Sequence, residues 1–399
     1  MAEIKKVPAI RFKGFSDEWS NKEFENILEI IDGDRGSNYP NSNDFLTLGH
    51  TLFLNASNVT SKGFRFNSNL YITEEKSNKL GNGKLLVDDI VLTSRGSLGH
   101  VAWYSQDIHR KIPFARINSG MLILRTSDSS IPSFIAQYLT APCGQKRINL
   151  IGFGSAQPQL TKKDISKFVI SLPLETNEQI QIGSYFQDLD KLISLHQTKV
   201  NKLTNLKKAM LEKMFPKQGA DVPEIRFKGF AGAWDEDDLG QLAKITTGSS
   251  NREDSGLDGE YTFFDRSDDI RTSNIYLFDC EAVIVAGEGS DFVPKYFVGK
   301  FDLHQRTYAI MNFDKLVGKF LYYYIYLFRK HFLDYAVGST VKSLRLPMFK
   351  EMPIKYPNET EQEKIGSYFY NFDKSITMHQ TELEKLNNLK KACLEKMFV

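Results

Sequence analysis

The chain has 399 residues, 51 Lys and Arg against 49 Asp and Glu (net +2), 41% hydrophobic residues and 29 Phe. That composition fits two or three packed domains, excludes a disordered chain, and confines any nucleic-acid surface to a local basic patch. A spanning helix and a signal peptide are excluded by the apolar runs, and a disulfide framework or zinc site by Cys143, Cys280 and Cys393, so a cytoplasmic protein with no membrane partner is expected.

The chain begins with a lead-in segment, Val7-Pro8-Ala9-Ile10-Arg11-Phe12-Lys13-Gly14-Phe15, that closes at Trp19. A loop follows, Asp32-Gly33-Asp34-Arg35-Gly36-Ser37-Asn38-Tyr39, mixing glycine with Arg, Ser and Asn. Gly81-Asn82-Gly83-Lys84 lacks the helix that a phosphate-binding loop needs and reads as a turn. Asp88-Asp89 reads as a pair of solvated loop carboxylates. Ile90-Val91-Leu92 is a short buried strand leading into the loop Thr93-Ser94-Arg95-Gly96-Ser97, and Gly120 to Leu124 is a second strand. An aromatic-rich helix is expected over 132–148, then a Gly154-Ser155 turn, the polar group Gln157, Gln159, Lys162 and Lys163, and Pro173.

From 176 to 217 the apolar residues recur at alternating spacings of three and four: Ile182, Phe186, Leu189, Ile193, His196, Val200, Leu203, Met210 and Met214. Sustained over about five heptads, this is a coiled-coil seam. Glu178 leads and Lys207, Lys208 and Lys213 close, in keeping with the helix dipole. Residues 180 to 214 as helix would span roughly 50 Å at about 1.5 Å per residue. Gln218-Gly219-Ala220-Asp221-Val222-Pro223 then stops it.

The plan now repeats. Val222-Pro223-Glu224-Ile225-Arg226-Phe227-Lys228-Gly229-Phe230, closing at Trp234, restates the lead-in segment 215 positions on. Thr247-Gly248-Ser249-Ser250-Asn251-Arg252 occupies the place of the first loop. Asp268-Asp269 again reads as solvated. Ala282-Val283-Ile284-Val285 is a buried strand, followed by Ala286-Gly287-Glu288-Gly289-Ser290, a strand from Thr307 to Met311, an aromatic helix over 316–335, a Gly338-Ser339 turn, the polar residues Thr340, Lys342 and Arg345, and Pro353. From 358 to 399 the seam returns as Ile365, Phe369, Phe372, Ile376, His379, Leu383, Leu386, Cys393 and Met397, led by Glu361 and Glu363 and closed by Lys390, Lys391 and Lys396. This helix is offset by 183 rather than 215, so the second insert is 32 residues shorter.

Mixed α and β signals inside the inserts predict an α+β protein, and the internal repeat sets the number of such domains at two. Two mixed α/β recognition domains are expected, separated by two long antiparallel coiled-coil helices and related by a pseudo-two-fold axis. The segments are 1–175 (first domain), 176–217 (first helix), 218–357 (second domain) and 358–399 (second helix). His196 and His379 fall on equivalent seam positions and read as a polar, register-setting pair.

Catalytic signatures are missing from the sequence: there is no G-x-x-x-x-G-K-[ST], no G-x-G-x-x-G after a strand, no H-E-x-x-H and no Asn-Pro-Pro-aromatic. Binding is the remaining reading, with the loops as the candidate surface. The DNA-binding candidates in the first half are Arg35, Ser37, Asn38, Tyr39, Ser94, Arg95, Ser97, Gln157, Gln159 and Lys162. In the second half they are Ser249, Ser250, Asn251, Arg252, Glu288, Ser290, Thr340 and Lys342. Arg95 and Glu288 occupy equivalent places, and arginine pairs with guanine whereas glutamate accepts from the cytosine amino group, so the two halves are expected to read different bases. The residues after each Gly-Ser turn suit phosphate contacts. A non-catalytic scaffold joining two protein-binding domains is the alternative.

The repeated frames resemble the DNA-specificity subunit of type I restriction-modification systems: Pro-x-Ile-Arg-Phe-Lys-Gly-Phe with its Trp, Glu-Gln-x-x-Ile-Gly-Ser-Tyr-Phe, and Asn-Leu-Lys-Lys-Ala-x-Leu-Glu-Lys-Met-Phe at Asn205 to Phe215 and Asn388 to Phe398. The resemblance implies two target-recognition domains, each reading one half of a bipartite double-stranded DNA site, and no catalysis by the chain itself. It also implies two modification (methyltransferase) subunits using S-adenosylmethionine, and restriction/translocase subunits using ATP and Mg. No cofactor is expected on this chain. Recognition domains vary freely in such subunits, so the loop residues are not carried over by motif.

Overall fold

A computed structural model of the chain describes residues 7–126, 132–152, 159–267, 269 and 271–399. The chain divides into two compact units, Met1–Leu195 with Glu382–Val399, and His196–Thr381. Each unit holds one insert, the first half of the long helix that follows it, and the last half of the other long helix. The division therefore cuts across the helical segments 176–217 and 358–399, because each helix buries its seam against the other.

The helices run over Thr176–Met214 and Glu359–Lys396. The first stops ahead of Pro216, whose ring disfavours helical backbone at the residue before it. In the first unit the helix halves pack antiparallel: Lys390 donates to Asp190 at 2.6 Å, Tyr185 meets Cys393, and Phe186 stacks on Phe398. In the second unit Lys207 pairs with Asp373, His196 faces His379, and Phe215 stacks on Phe369. Ile182, Phe186, Leu189, Val200 and Met214 are buried as the seam pattern requires, as are Ile365, Phe369, Cys393 and Met397. The pattern skips one turn in each helix, and the skipped positions are Lys207 and Lys390. Both are equivalent under the repeat and both pair with the equivalent aspartate of the facing helix.

In the first unit a four-stranded antiparallel sheet runs in the order Glu29–Asp32, Met121–Arg125, Ile90–Thr93, Val101–Trp103. A second sheet places Thr51–Leu54 between Tyr71–Ile72 and Ala115–Ile117, parallel to the latter. Ile90, Leu92, Leu122 and Leu124 face Phe134, Ile135 and Tyr138, whereas Val91, Met121 and Ile123 face Leu52, Leu54, Tyr104 and Ile117. Burial on both faces explains why these strands are continuous apolar runs rather than alternating ones.

The second unit has one six-stranded sheet in the order Lys244–Thr247, Thr307–Met311, Phe278–Ala286, Lys295–Leu303, Tyr261–Phe264, Arg271–Ser273. Val283, Val285 and Ile310 pack against Phe320 and Tyr324, and Ala282, Ile284, Ala309 and Met311 cluster with Phe301 and Leu303 of the same sheet. The strand Lys295–Leu303 pairs with both neighbours that Val101–Trp103 and Ala115–Ile117 serve separately. The helix Gln106–Lys111 splits that strand in the first unit. One fold thus appears twice, once interrupted.

Two helices expected to be continuous are broken. The 132–148 segment is two helices, Pro132–Thr140 and Pro142–Gly152, since Pro142 has no amide proton to continue the ladder. The 316–335 segment is Gly318–Phe328 and Lys330–Tyr335, with the break at Arg329. Gly183 and Gly366 let the long helices approach these aromatic helices. A Cβ on Gly183 would lie 2.1 Å from Ser133 Oγ, and one on Gly366 2.9 Å from Lys319 Cβ.

The lead-in segments join the two helix ends of each unit. Ile10 N–H donates to Lys396 O at 3.0 Å, and Arg11 forks onto Glu178 at 2.6 and 2.8 Å. The second unit repeats both contacts, with Ile225 on Lys213 O at 2.9 Å and Arg226 on Glu361. Trp19 packs edge-on against Phe134 and Phe398, and Trp234 against Phe320 and Phe215. The insert ends are then zipped together by Ser20–Glu23 with Val169–Leu172, and by Asp235–Asp238 with Pro353–Tyr356.

Asp89 corrects the solvated-carboxylate reading. It is buried, its oxygens take Arg125 Nε and Nη2 at 2.7 Å, and it caps the Leu86 amide. Asp88 is half-buried and accepts from Trp103. Asp269 is exposed as expected, while Asp268 lies outside the described residues. No described helix is long and apolar enough to cross a membrane.

Candidate nucleic-acid interface

In both units the loops singled out in the sequence converge on one end of the sheet. Antiparallel pairing dictates this, because the residue after one strand sits beside the residue before its neighbour. In the first unit Ser94 N–H donates to Gly120 O at 2.8 Å and Leu160 N–H to Ser94 O at 3.0 Å. In the second unit Gly287 N–H donates to Arg306 O at 2.8 Å and Leu344 N–H to Gly287 O at 2.7 Å. The same three-loop stitch therefore closes both units. Gly33 and Gly248 let the remaining loop lie flat against it: a Cβ would sit 2.1 Å from Asn118 O and 1.7 Å from Leu303 O, respectively.

In the first unit Arg35 donates to Ser119 O at 3.3 Å, and the Ser119 amide donates to the Tyr39 hydroxyl at 3.4 Å. Tyr39 is half-buried against Phe53. Asn38 is exposed and donates to Lys79 O, and Ser37 is exposed. Arg95 and Ser97 are exposed, and among the described residues Arg95 has no ion-pair partner. Gln159 is half-buried beside Leu160. Lys162 is exposed and opens the short helix Lys162–Ser166, whose N-terminus is capped by Thr161 and Asp164. Gln157 lies outside the described residues.

Ser94 is a correction. It is only 1% exposed, so its hydroxyl cannot reach a groove, and its role is the backbone stitch. The Gly81–Lys84 turn holds no open phosphate cradle: the buried Arg116 donates to Leu80 O and Asn82 O from beneath it.

In the second unit the loops enclose a cleft of about 370 Å³ lined by Arg252, Asp265, Arg266, Glu288, His304, Gln305, Arg306 and Thr307. Arg306 Nη1 donates to Glu288 Oε1 at 2.6 Å, and Arg266 lies 3.8 Å from Glu288 Oε2. Arg252 Nη1 donates to Asp265 Oδ2 at 2.6 Å, and Gln305 Nε2 to Asn251 Oδ1 at 2.6 Å. Among the described lining residues three guanidiniums thus face two carboxylates. Burial pushes the pKa of His304 down, favouring the neutral ring there.

Ser249, Ser290 and Thr340 are exposed. Lys342 is exposed but donates to Leu333 O, while its backbone pairs with Gly289. Ser250 is a second correction: it is buried and donates to Asp302 Oδ1 at 2.7 Å beneath the sheet end. Glu288 is not a free acceptor either, since both carboxylate oxygens face arginines.

The sequence reading missed the turns that complete each site, Asn118-Ser119-Gly120 and His304-Gln305-Arg306, and with them Arg266. Both turns precede strands that the sequence made legible. Pairing those strands with Ile90–Thr93 and Phe278–Ala286 would have placed them beside the chosen loops.

The family model of the type I restriction modification DNA specificity domain matches residues 16–205 and 232–388. The chain is 29% identical over 158 residues to the type I restriction enzyme EcoDI specificity subunit of Escherichia coli, an alignment spanning 40% of this chain and 35% of that protein. It is 22% identical over 411 residues to a Methanocaldococcus jannaschii protein assigned as the specificity subunit of type I restriction enzyme MjaX, covering 94% of this chain and 91% of that one. Among solved structures, the S subunit of a type I restriction-modification system from M. genitalium shares the fold with a TM-score of 0.71 at 14% identity, over 98% of this chain and 99% of that one.

Proposed function

The chain belongs to the type I restriction modification DNA specificity domain family, and from that premise we propose that each of its units reads one half of a bipartite double-stranded DNA site. The observation that carries this reading is the shared sheet end. Its backbone stitch is the same in both units, and the side chains set on it differ: Arg35, Tyr39 and Arg95 in one, Arg252, Arg266, Arg306 and Glu288 in the other. Identical scaffolds presenting unlike donors suit two unlike recognition sequences.

The chain's share of the work is binding and orientation. Guanidiniums on a sheet end offer paired N–H donors to base edges, while exposed Lys162 and Lys342 suit phosphate oxygens, where they add affinity without sequence preference. In the assembly that this reading implies, two modification subunits methylate with S-adenosylmethionine, and restriction/translocase subunits use ATP and Mg. Those cofactors belong to the partners.

A gel shift of the chain together with its modification subunit, on duplexes with and without the selected sequence and across a salt series, tests the reading. Sequence-dependent retention with a negative salt slope is expected. Equal absence of binding to every duplex at low salt would favour a protein-binding scaffold instead.

A further inference from the structure

The stitch aligns the two units residue by residue. Ser94 N–H on Gly120 O corresponds to Gly287 N–H on Arg306 O, so Arg95 is the counterpart of Glu288 and Gly120 the counterpart of Arg306. The charges are placed in opposite ways. In the first unit the guanidinium rises from the loop after the strand and the facing position is glycine. A Cβ on Gly120 would come into ordinary contact with Arg95 Cβ, at 3.9 Å, so the two positions are neighbours in space. In the second unit the guanidinium rises from the facing turn, and the loop residue is a glutamate bonded to it at 2.6 Å. Each unit thus carries an arginine at this pair of facing positions, on the loop in the first and on the facing turn in the second.

We propose that Arg306 is the base-reading residue at this position of the second half-site, with guanine as its partner, and that Glu288 is a positioning residue that fixes Arg306 and Arg266. The proposal rests on the DNA-recognition reading and replaces direct cytosine reading by Glu288. Its physical basis is the division of donors and acceptors. The carboxylate of Glu288 is 20% exposed and takes a charge-assisted bond from Arg306, so accepting from a cytosine amino group would require breaking that bond. Arg306 commits one of its five N–H groups to Glu288 and is 64% exposed, so donors remain for guanine O6 and N7. A guanidinium already held by a carboxylate loses less freedom on binding than a free one. The cleft uses the same device again in Arg252, held by Asp265, which is itself fixed by the Ser267 amide at 2.8 Å.

Selection from duplexes randomised in both half-sites, using the full chain with its modification subunit, tests the proposal through Arg306→Ala, Arg306→Lys and Glu288→Gln. The wild type should select a G·C pair at one position of the second half-site. Arg306→Ala should reduce discrimination there by roughly 10- to 100-fold, and Arg306→Lys by less, with the first half-site unchanged as the internal control of folding. Glu288→Gln should keep the same preferred base with weaker discrimination. A new preferred base in Glu288→Gln, or unaltered selectivity in Arg306→Ala with the first half-site intact, overturns the proposal. Failure of the wild type to retain any duplex overturns the DNA-recognition reading itself, a separate result.

Discussion

Arg226 donates from Nε and Nη2 to the two carboxylate oxygens of Glu361, at 2.6 and 2.7 Å, and Glu361 has no solvent exposure. A bidentate pair of this kind tolerates burial only while both partners are present. Arg226→Ala leaves an uncompensated buried carboxylate and is expected to destabilise the second unit by about 3–5 kcal/mol, whereas Arg226→Met with Glu361→Leu should recover most of the loss. Denaturant unfolding of the three chains checks this, and a single mutant with the wild-type midpoint would remove the clamp from the account.

Lys207 occupies a seam position, 5.2 Å from the Tyr323 ring centroid, and pairs with Asp373, which also accepts from the Tyr323 hydroxyl at 2.6 Å. Burial, and then the hydrogen bond to Asp373, push that hydroxyl's pKa up and keep it a donor. Lys207→Glu sets like charges together and should cost roughly 1–3 kcal/mol, Asp373 being partly exposed. Exchanging the pair, Lys207→Asp with Asp373→Lys, should restore part of it. Thermal melts that rank the exchange below the single mutant would contradict a specific pairing.

His196 and His379 face each other with Nδ1 atoms 3.2 Å apart, one ring donating to the other. Burial, with Lys199 and His196 adding to it, lowers the pKa of His379 below its ordinary 6.5. The unfolded chain therefore takes up the proton more readily than the folded one. Stability from this group is full above about pH 6.5 and declines as pH falls below it. His379→Leu should flatten the slope between pH 7 and 5, and an unchanged slope would assign the acid sensitivity elsewhere.

Arg95 stands exposed on the first unit's sheet end, and Lys162 opens the short helix that follows Leu160, whose amide is bonded to Ser94 O. Arg95→Ala should relax selectivity in one half-site only, whereas Lys162→Ala should weaken binding to all sequences and reduce the salt slope by about one. Equal loss at both half-sites for Arg95→Ala would contradict a base-reading role.

The repeat, the heptad helices and the doubly buried strands were legible because each rests on a periodicity or an offset that survives in sequence. The seam lysines were not, since a charge in a coiled-coil core reads as a gap until Asp190 and Asp373 are seen opposite. Nor was the task of Ile10 and Arg11, whose partners Lys396 and Glu178 are far along the chain. Pro142 breaks a helix that its aromatic content alone would continue. The loops of the candidate site were found by offset, yet Ser94 and Ser250 proved buried and Glu288 proved engaged. Composition names a loop's residue types but not which of them turn inward, and the arginines of the facing turn carried no motif of their own.

Whether each unit reads its own half-site is decided by the base preference of the wild-type chain with its modification subunit, selected from a fully randomised duplex pool. Two short specified blocks separated by unspecified base pairs are predicted, one block shifting with Arg95→Ala and the other with Arg306→Ala. A single continuous specified block, or one block that responds to both substitutions, would contradict the assignment of one half-site to each unit.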